Sequence, residues 1–483
     1  MPAITSLGIG SGLDLNTMLT QLVALESRPL TQLRSDASAL QTKVSSYGQI
    51  SSLFSAVQTA ANKLSGTSLW NQSTAVSTDT SVAQVVSATN AAPGSYAVSV
   101  QQLAANQTVV SGTNFTSNDD LVGEGTLTLD IGSWDRPPLS FVPQVGRVAV
   151  NITATSTDTL STLRDKINAT GAGVTASIVT DSSGSRLALR STATGEENGF
   201  RLQVTDIDGN NTDGAGLSRF AFDPQNGTTL MEQKVAAVNA KATVNGIEVT
   251  SASNDLSTVI EGVTLRLGKV SQPGTTLDVT ADTASVKTAV EDFAKAYNTL
   301  ASYLSSQTKY DATSQVAGAL QGDSAATGLI NQMRSLLGAS SGASATFQRL
   351  SDIGLTAQRD GTLAVDSSKL TKAVGNLTEL RKAFANNGNG NTADDGFARR
   401  YADLASRVLG ADGALTTRTE GLQTRIAKNS DNQARMQDRI DRFQARLTAQ
   451  YAAMDASQSK LNALSSYVTA QMTALTAMAN KTN

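Results

Sequence analysis

A repeat of apolar residues near the end of the chain constrains the fold more than any other feature. Two interleaved series of positions, each with a spacing of seven residues, run from Leu415 to Met478, and no proline interrupts them. Apolar residues that recur every 3.5 positions are typical of a helix that supercoils around a partner. Within these series, the residues that we predict to drive coiled-coil formation and self-assembly are Ile426, Met436, Ile440, Phe443, Leu447, Met454, Leu461, Leu464, Val468 and Leu475.

The start of the chain carries a matching repeat. Asp14 is a candidate N-cap for a first helix, and Pro29 either interrupts that helix or occupies the first turn of the next one. Because two such helices flank a different middle, we predict that they pair as a terminal coiled coil and hold the middle out as a head. The predicted coiled-coil residues of this first repeat are Leu30, Leu33, Leu40, Val44, Tyr47 and Phe54.

Polar residues interrupt the second repeat. They occupy five of its seam positions, which are Asn429, Gln433, Gln450, Ser457 and Gln471. Polar seam residues lower the stability of an isolated coiled coil while they specify its register and partner. We therefore expect the outermost helices, before Leu33 and after Tyr451, to be disordered in the free subunit and to order only inside a larger assembly.

The apolar period changes to two residues after residue 75, which predicts strands. The Asn245-Gly246 pair between alternating apolar residues predicts a two-residue hairpin turn. Strands before and after a central insert are expected to share one sheet. We also predict that Asn254-Asp255 caps a short helix that reaches Ile260, before the strand that follows Gly262.

The insert itself, residues 105–234, is rich in Gly, Asn, Ser, Thr and Asp and is predicted to be β-rich. Inside it, Asp158 is a candidate N-cap for a short helix with Leu160, Leu163 and Ile167 on one face. A hairpin is predicted to follow, with its turn at Asp181-Ser182-Ser183-Gly184.

Helical periodicity returns after residue 285. We predict a helix capped by Asp323 or Ser324, a small hairpin around Asp360-Gly361, and one helix that is capped by Asp366 and reaches Leu377. After a loop at residues 386–391 comes the long last helix.

Together these patterns predict an α+β multidomain fold in which β-rich head domains are inserted one in another. Residues 1–38 and 440–483 are predicted to form the terminal coiled-coil leg, and residues 39–75 and 284–439 a helical bundle domain with a small hairpin. Residues 76–104 and 235–283 are predicted to form a β-rich head domain, and residues 105–234 an inserted β-rich head domain with a helix–hairpin unit.

The composition excludes several classes of function. The 483 residues include 38 basic and 41 acidic side chains, and this balance recruits neither nucleic acid nor an anionic membrane. The chain has no cysteine and no histidine, so it lacks thiolate nucleophiles, the usual general base and the commonest transition-metal ligand. No stretch is long and apolar enough to span a bilayer, and the first residues lack the pattern of a cleaved secretory signal.

Three candidate sites are considered and disfavoured. The acidic run from Asp206 to Gly214 suggests calcium, but an EF-hand loop needs glycine at its sixth position and glutamate at its twelfth, where this chain has Asn211 and Leu217. The glycine run from Ser6 to Asp14 has no following lysine and is predicted to be a flexible leader. Trp134 could anchor a partner, but packing against its own sheet is favoured. The sequence therefore predicts no catalytic, cofactor-binding or metal-binding residues.

Seven segments together form a recognisable pattern, and they are Ser6-Leu7-Gly8-Ile9-Gly10-Ser11-Gly12-Leu13-Asp14, Leu22-Val23-Ala24-Leu25-Glu26-Ser27-Arg28-Pro29-Leu30, Pro93-Gly94-Ser95-Tyr96-Ala97-Val98-Ser99-Val100, Gln102-Leu103-Ala104, Gly322-Asp323-Ser324, Ile353-Gly354-Leu355 and Asp360-Gly361-Thr362-Leu363. These segments resemble the bacterial flagellar filament cap family, also called hook-associated protein 2. The segment from Thr159 to Phe200 is similar to a helix–hairpin insert of flagellin head domains.

The resemblance implies a non-enzymatic protein without a cofactor. Such caps form a ring of five or six subunits at the distal end of the filament and promote the insertion of flagellin. The implied partners are further copies of the chain, flagellin, the hook-associated junction proteins and an export chaperone on the C-terminal helix, with host mucin for members that act as adhesins. Export through the flagellar type III channel would place the protein outside the cell without a cleaved signal.

Three other readings stay open from the sequence. Flagellin or a hook–filament junction protein would share the terminal coiled coil and the central head. A secreted β-rich adhesin on a coiled stalk would instead bind a glycan or a host protein. A hydrolase is disfavoured, since the chain lacks histidine and cysteine.

Overall fold

The computed structural model describes residues 14–112, 114–135, 139–312 and 315–479. The predicted leader from Ser6 to Leu13 lies outside these ranges. Ten α-helices occur in the described residues: α1 (Leu15–Glu26), α2 (Arg28–Ser65), α3 (Leu160–Ala169), α4 (Thr283–Thr308), α5 (Ser324–Gly338), α6 (Leu350–Ile353), α7 (Ser367–Val374), α8 (Leu377–Ala385), α9 (Phe397–Leu409) and α10 (Ala414–Ala479).

The strands of the described residues lie between α2 and α8. They are β1 (Ser73–Ser77), β2 (Ala83–Ala88), β3 (Gly94–Gln102), β4 (Thr108–Ser111), β5 (Gly125–Asp135), β6 (Ser140–Pro143), β7 (Val150–Ala154), β8 (Val174–Asp181), β9 (Gly184–Ser191), β10 (Gly199–Asp206), β11 (Phe222–Asp223), β12 (Thr228–Thr229), β13 (Met231–Val235), β14 (Ala240–Val244), β15 (Ile247–Ser251), β16 (Asp255–Ile260), β17 (Val263–Leu267), β18 (Ser271–Ala281), β19 (Tyr310–Asp311), β20 (Val316–Ala317), β21 (Leu355–Ala357) and β22 (Leu363–Val365).

The chain separates into two compact units. The helical unit consists of Met1–Thr67 and Val286–Asn483, and the head unit is Ser68–Ser285. This arrangement confirms the predicted α+β class, with terminal helices around a β-rich centre. The finer division into four domains stays a prediction.

The long terminal helices begin and end close to the predicted residues. The Asp14 carboxylate accepts a hydrogen bond from the Thr17 backbone N–H at 3.0 Å and so caps α1. Pro29 lies in the first turn of α2, where a proline needs no N–H partner. In the helical unit, α10 packs against α1, α2, α5 and α9, and α2 also packs against α9.

Two helices of the helical unit differ from the prediction. The predicted helix from Asp366 to Leu377 is two helices, because α7 ends at Val374 and Asn376 starts α8 by accepting a hydrogen bond from the Glu379 N–H. Helix α9 was not predicted, although its buried residues Phe397, Ala398, Tyr401, Ala402, Leu404, Ala405 and Val408 follow a helical period.

The head unit contains the predicted sheet that joins strands from both sides of the insert. Its five strands are ordered β1-β18-β3-β14-β15. The β14–β15 hairpin turns at Asn245 and Gly246, whose φ angles are 50° and 82°. Positive φ at both central residues is what a type I′ turn requires, and Asn-Gly is the pair that tolerates it best.

The predicted helix from Asp255 to Ile260 is wrong. These residues form β16, which pairs with β17 across a tight turn at Gly262 and belongs to the sheet β16-β17-β2. The segment contains Thr258, Val259 and Ile260, whose branched side chains suit a strand better than a helix. The segment is too short for its apolar spacing to distinguish a strand from a helix. Pairing with β17 therefore determines its conformation.

The insert contains a six-stranded and a four-stranded sheet. The first has the order β12-β11-β10-β5-β6, with β7 also paired to β5, and the second has the order β13-β4-β9-β8. Helix α3 packs against β8. Buried residues from both sheets and from α3 form one hydrophobic cluster. Buried residues of the sheets β1-β18-β3-β14-β15 and β16-β17-β2 and of their adjoining segments form another.

The N-cap of α3 is Thr159 and not Asp158. The Thr159 hydroxyl accepts from the Thr162 N–H, and the Thr162 hydroxyl donates to the Thr159 carbonyl and accepts from its N–H. Asp158 instead accepts from the Thr155 N–H at 2.6 Å and forms an ion pair with Lys166. The prediction placed the cap one residue too early, since both residue types cap helices well.

Candidate assembly surface of the terminal helices

The seam of α10 is covered along its first half. Leu415, Leu422, Asn429 and Ile440 are buried, and the intervening seam residues are half-buried as far as Leu447. The predicted residues that lie in this half-buried group are Ile426, Met436, Phe443 and Leu447. A heptad repeat in contact with neighbouring helices gives this pattern of burial.

The predicted residues of α2 are also covered. Leu30, Leu40, Tyr47 and Phe54 are buried, and Leu33 and Val44 are half-buried. The structure thus brings the two predicted repeats together within the helical unit, where α2 and α10 pack against each other. Their role in self-assembly stays a prediction.

The second half of the α10 seam is exposed. We call the exposed apolar side chains on and directly beside this seam, from Met454 to Leu475, the distal face. They are between 42% and 62% exposed, and the set consists of Met454, Leu461, Leu464, Tyr467, Val468, Met472 and Leu475. Residues 461–480 also contain no charged side chain. A long uncharged apolar face on a helix marks an interaction site more often than a surface adapted to water.

Polar seam residues are satisfied within α10 where the structure shows their contacts. The Gln433 side-chain amide donates to the Asn429 carbonyl oxygen Oδ1 at 2.6 Å. Near the same region, Arg439 forms a 2.7 Å ion pair with Glu26 of α1. Because the Arg439 side chain is largely exposed, this pair contributes little to stability, about 0–1 kcal/mol.

A buried carboxylate joins three helices at the base of the coiled coil. Asp323 accepts a hydrogen bond from the Tyr47 hydroxyl of α2 at 2.6 Å and pairs with Arg418 of α10 at 2.5 Å. It also caps α5 by accepting from the Ala325 N–H at 3.0 Å. Burial by itself would raise the pKa of Asp323, but the hydrogen bonds from Tyr47 and Arg418 outweigh it and lower that pKa. The cap was predicted from the local sequence, whereas the other two contacts were not, because they come from segments far away in the chain.

The acidic loop that begins at Asp206, which the sequence disfavours as a calcium site, is held by its own hydrogen bonds. Burial would raise the pKa of Asp206, but hydrogen bonds from the Ser218 N–H and hydroxyl lower it. The Asp206 N–H in turn donates to Asn211, so this loop uses its own polar groups. Among the residues that the structure describes, no group of three or more Asp, Glu, His or Cys side chains could hold a metal ion.

Trp134 packs against its own sheet, as favoured from the sequence. Its ring meets those of Phe141 and Phe222 edge-on, at centroid distances of 4.8 Å and 5.9 Å. Its indole N–H donates to the Phe200 carbonyl at 3.3 Å. The neighbouring residues 136–138 lie outside the described ranges.

No helix in the described ranges is both long and apolar enough to cross a membrane. The features that remain are a terminal coiled coil whose distal face lacks a cover within the described residues and a β-rich head without a metal-binding cluster in its described part. They define a class of proteins in which two long terminal heptad helices flank a β-rich head.

Comparisons with known proteins identify the family. The models of the flagellar hook-associated protein 2 N-terminus and C-terminus match residues 11–107 and 237–463, and that of the flagellin hook IN motif matches residues 141–193. The B-type flagellar hook-associated protein 2 of Pseudomonas aeruginosa is 32% identical over 464 residues, with 92% of each chain covered. The flagellar hook-associated protein 2 of Escherichia coli strain K12 is 33% identical over 472 residues, which cover 94% of this chain and 95% of the relative.

A solved structure supports the same assignment. The D1-D2-D3 domains of the flagellar cap protein FliD from Escherichia coli match with a TM-score of 0.61 and 30% identity, over 78% of this chain and 99% of that chain. The chain belongs to the flagellar hook-associated protein 2 family. It is therefore a flagellar protein, and membership of this structural family confirms the predicted non-enzymatic role.

Proposed function

We propose that this chain caps the distal end of the flagellar filament and promotes the insertion and polymerisation of exported flagellin. The observation that supports this proposal most is the distal face of α10, which continues the seam of a packed coiled coil but is exposed from Met454 onward. The similarity to a structure described as a flagellar cap protein supports the same role.

The finer parts of this proposal follow the family resemblance. Copies of the chain form a ring of five or six subunits whose terminal helices reach the filament, where flagellin and the junction proteins cover the distal face. The protein reaches the filament tip by export without a cleaved signal, and a chaperone covers the C-terminal helix before export. An adhesive contact with host mucin would belong to the inserted domain, residues 105–234.

Charges on the distal face are expected to abolish capping without unfolding the subunit. The triple substitution Leu461→Asp, Leu464→Asp and Val468→Asp changes three exposed side chains, so the free energy of unfolding should change by no more than about 0.5 kcal/mol per site. In a strain that lacks its own copy, this variant should fail to restore swimming, and flagellin should leak into the medium.

The matched control places the same charges on the opposite side of the same helix. The substitutions are Ser459→Asp, Ser466→Asp and Thr473→Asp, at positions that lie away from the seam and are also exposed in the structure. This variant should swim. Wild-type swimming by the seam variant would show that the distal face is not the assembly surface.

Hydrogen exchange should distinguish the two halves of α10. In the free subunit, amides after Tyr451 should exchange at least about tenfold faster than those between Leu415 and Leu447, because exposed helix ends open locally at low cost. In the assembled state, the amides after Tyr451 should become protected while the first half stays unchanged. Equal protection of the distal half in both states would contradict the proposed ordering.

A further inference from the structure

The edge of one sheet in the insert has an unusual hydrogen-bonding pattern. Strand β8 is the last strand of the sheet β13-β4-β9-β8, and all of its eight residues are in register with β9, from Val174 opposite Ser191 to Asp181 opposite Gly184. Residues 174–180 include neither a charged residue nor a proline. Sheet edges without such residues are open to pairing with a strand of another chain.

A side-chain amide closes part of this edge. The Asn168 side chain donates to the Ala176 carbonyl at 2.9 Å and accepts from the Ala176 N–H at 2.7 Å. Both backbone groups of Ala176 therefore point away from β9. Since backbone direction alternates along an antiparallel strand, the N–H and C=O groups of Ile178 and Thr180 point the same way.

The rest of the edge is open. Within the described part of the chain, no hydrogen bond is seen at the outward backbone groups of Ile178 and Thr180. Val179 lies between them, and its side chain is 55% exposed. Asn168 thus limits the open edge to the segment centred on Val179.

This segment is complementary to itself. In an antiparallel pair centred on Val179, Ile178 meets Thr180 of the second copy, and each of these residues offers one donor and one acceptor. Asp181 then lies opposite Ser177 of the second copy, so the two carboxylates are not paired with each other. On the other face of the sheet, Ile178 is partly buried against the hydrophobic cluster and would be covered further.

We propose that two copies of this chain associate through β8, in a two-fold antiparallel contact centred on Val179. The contact is separate from the one that closes a cap ring, because a two-fold contact pairs a surface with itself and does not propagate around a ring. It joins subunits two at a time through few hydrogen bonds, and its affinity is correspondingly low. Covalent trapping is therefore a better test than mass alone.

A single cysteine tests the geometry. The chain has no cysteine, so the thiol of a Val179→Cys variant can form a disulfide only with that of a second copy. Cα atoms of a directly opposed pair without mutual hydrogen bonds lie about 4.5 Å apart, within the disulfide range of about 4.4–6.8 Å. Full-length V179C at about 10 μM should form a covalent dimer faster than a collision-limited thiol, by up to about 100-fold, since a pair holds its two thiols at millimolar effective concentration and the gain scales with the fraction of subunits that are paired.

The control is Val76→Cys on β1, the edge strand of another sheet in the same unit. Val76 is 67% exposed, so its thiol is at least as accessible. A second variant, Val179→Cys with Thr180→Pro, removes one outward N–H and no backbone bond to β9. It also removes the 2.9 Å bond between the Thr180 and Ser185 hydroxyls, so the fold of this variant is checked separately. It should dimerise at the V76C rate while its tryptophan fluorescence reports a folded head. Equal rates for V179C and V76C, or rapid dimerisation that survives T180P, would overturn the proposal.

Discussion

Replacing Asp323 with alanine is expected to lower the free energy of unfolding of the helical unit by about 3–5 kcal/mol. The Asp323 side chain is only 1% exposed, and its loss leaves the Arg418 guanidinium without its carboxylate and the Tyr47 hydroxyl without its acceptor. One N–H at the start of α5 also loses its cap. Urea unfolding followed by circular dichroism at the helical minimum measures this change.

A second N-cap provides the matched control. Asp366 caps α7 by accepting from the Ser368 and Lys369 N–H groups at 3.0 Å each, but it is exposed. Asp366→Ala should cost only about 1 kcal/mol. Both tryptophans, Trp70 and Trp134, belong to the head unit, so the fluorescence transition should stay in place in both variants. An equal cost for the two substitutions would show that Asp323 does no more than cap α5.

The Asp323 contribution should depend on pH in one direction. Its pKa in the folded protein is below the ordinary value, because the bonds from Tyr47 and Arg418 outweigh burial. A carboxyl group with a depressed folded pKa stabilises fully above its unfolded pKa of about 3.9, and this stability is lost as the pH falls through the folded pKa. The stability difference between wild type and D323A should therefore be constant near neutral pH and shrink below about pH 4.

Helices whose apolar residues recur at a regular spacing are the part of this fold that the sequence can predict. The α10 seam could be identified from its spacing alone, because every member of a heptad repeat lies on one side of a helix. Helix α9 carried the same kind of signal at Phe397, Tyr401, Leu404 and Val408, and it could have been found by extending the period count past the loop at residues 386–391.

Contacts between distant segments could not be predicted in this way. Tyr47 and Arg418 are 276 and 95 residues away from Asp323, and nothing beside either residue indicates the pairing. The strand β16 is a similar case, since its pairing with β17 decides its conformation. The seam pattern is the same on both halves of α10, so the sequence alone does not indicate which half is buried within the subunit.

At several points, side-chain amides form the hydrogen bonds that backbone N–H and C=O groups would otherwise make to a neighbouring strand. The sequence alone does not predict these contacts. In each case one amide both donates to and accepts from the backbone of a single residue, as a neighbouring strand would. The pairs are Asn168 with Ala176, Asn254 with Ala104, Gln107 with Phe200 and Asn298 with Leu363. Because Asn and Gln are usually surface residues, their sequence positions alone do not reveal this role.

Three of these pairs lie in the head unit. Among them, loss of the Gln107 amide should lower the free energy of unfolding most, because Gln107 is fully buried. Gln107→Leu removes the donor at 2.8 Å from the Phe200 carbonyl and the acceptor at 2.9 Å from the Phe200 N–H. The carbonyl keeps its 3.3 Å bond from Trp134, whereas the buried N–H is left unpaired. The unpaired N–H costs about 1–3 kcal/mol and the lost bond to the carbonyl about 0.5–1.5 kcal/mol, so we expect a loss of about 2–4 kcal/mol.

Tryptophan fluorescence measures this loss in the head unit, and the circular dichroism transition of the helical unit should not move. Gln102→Leu is the matched control, because Gln102 is half-buried and its amide makes a single bond within the described ranges, to the Asn239 carbonyl at 2.8 Å. A single neutral hydrogen bond contributes about 0.5–1.5 kcal/mol, so Q102L should cost at most about half as much as Q107L. If Q107L unfolds at the same urea concentration as Q102L, the buried amide does not substitute for a strand, and the Phe200 backbone groups must be satisfied in another way.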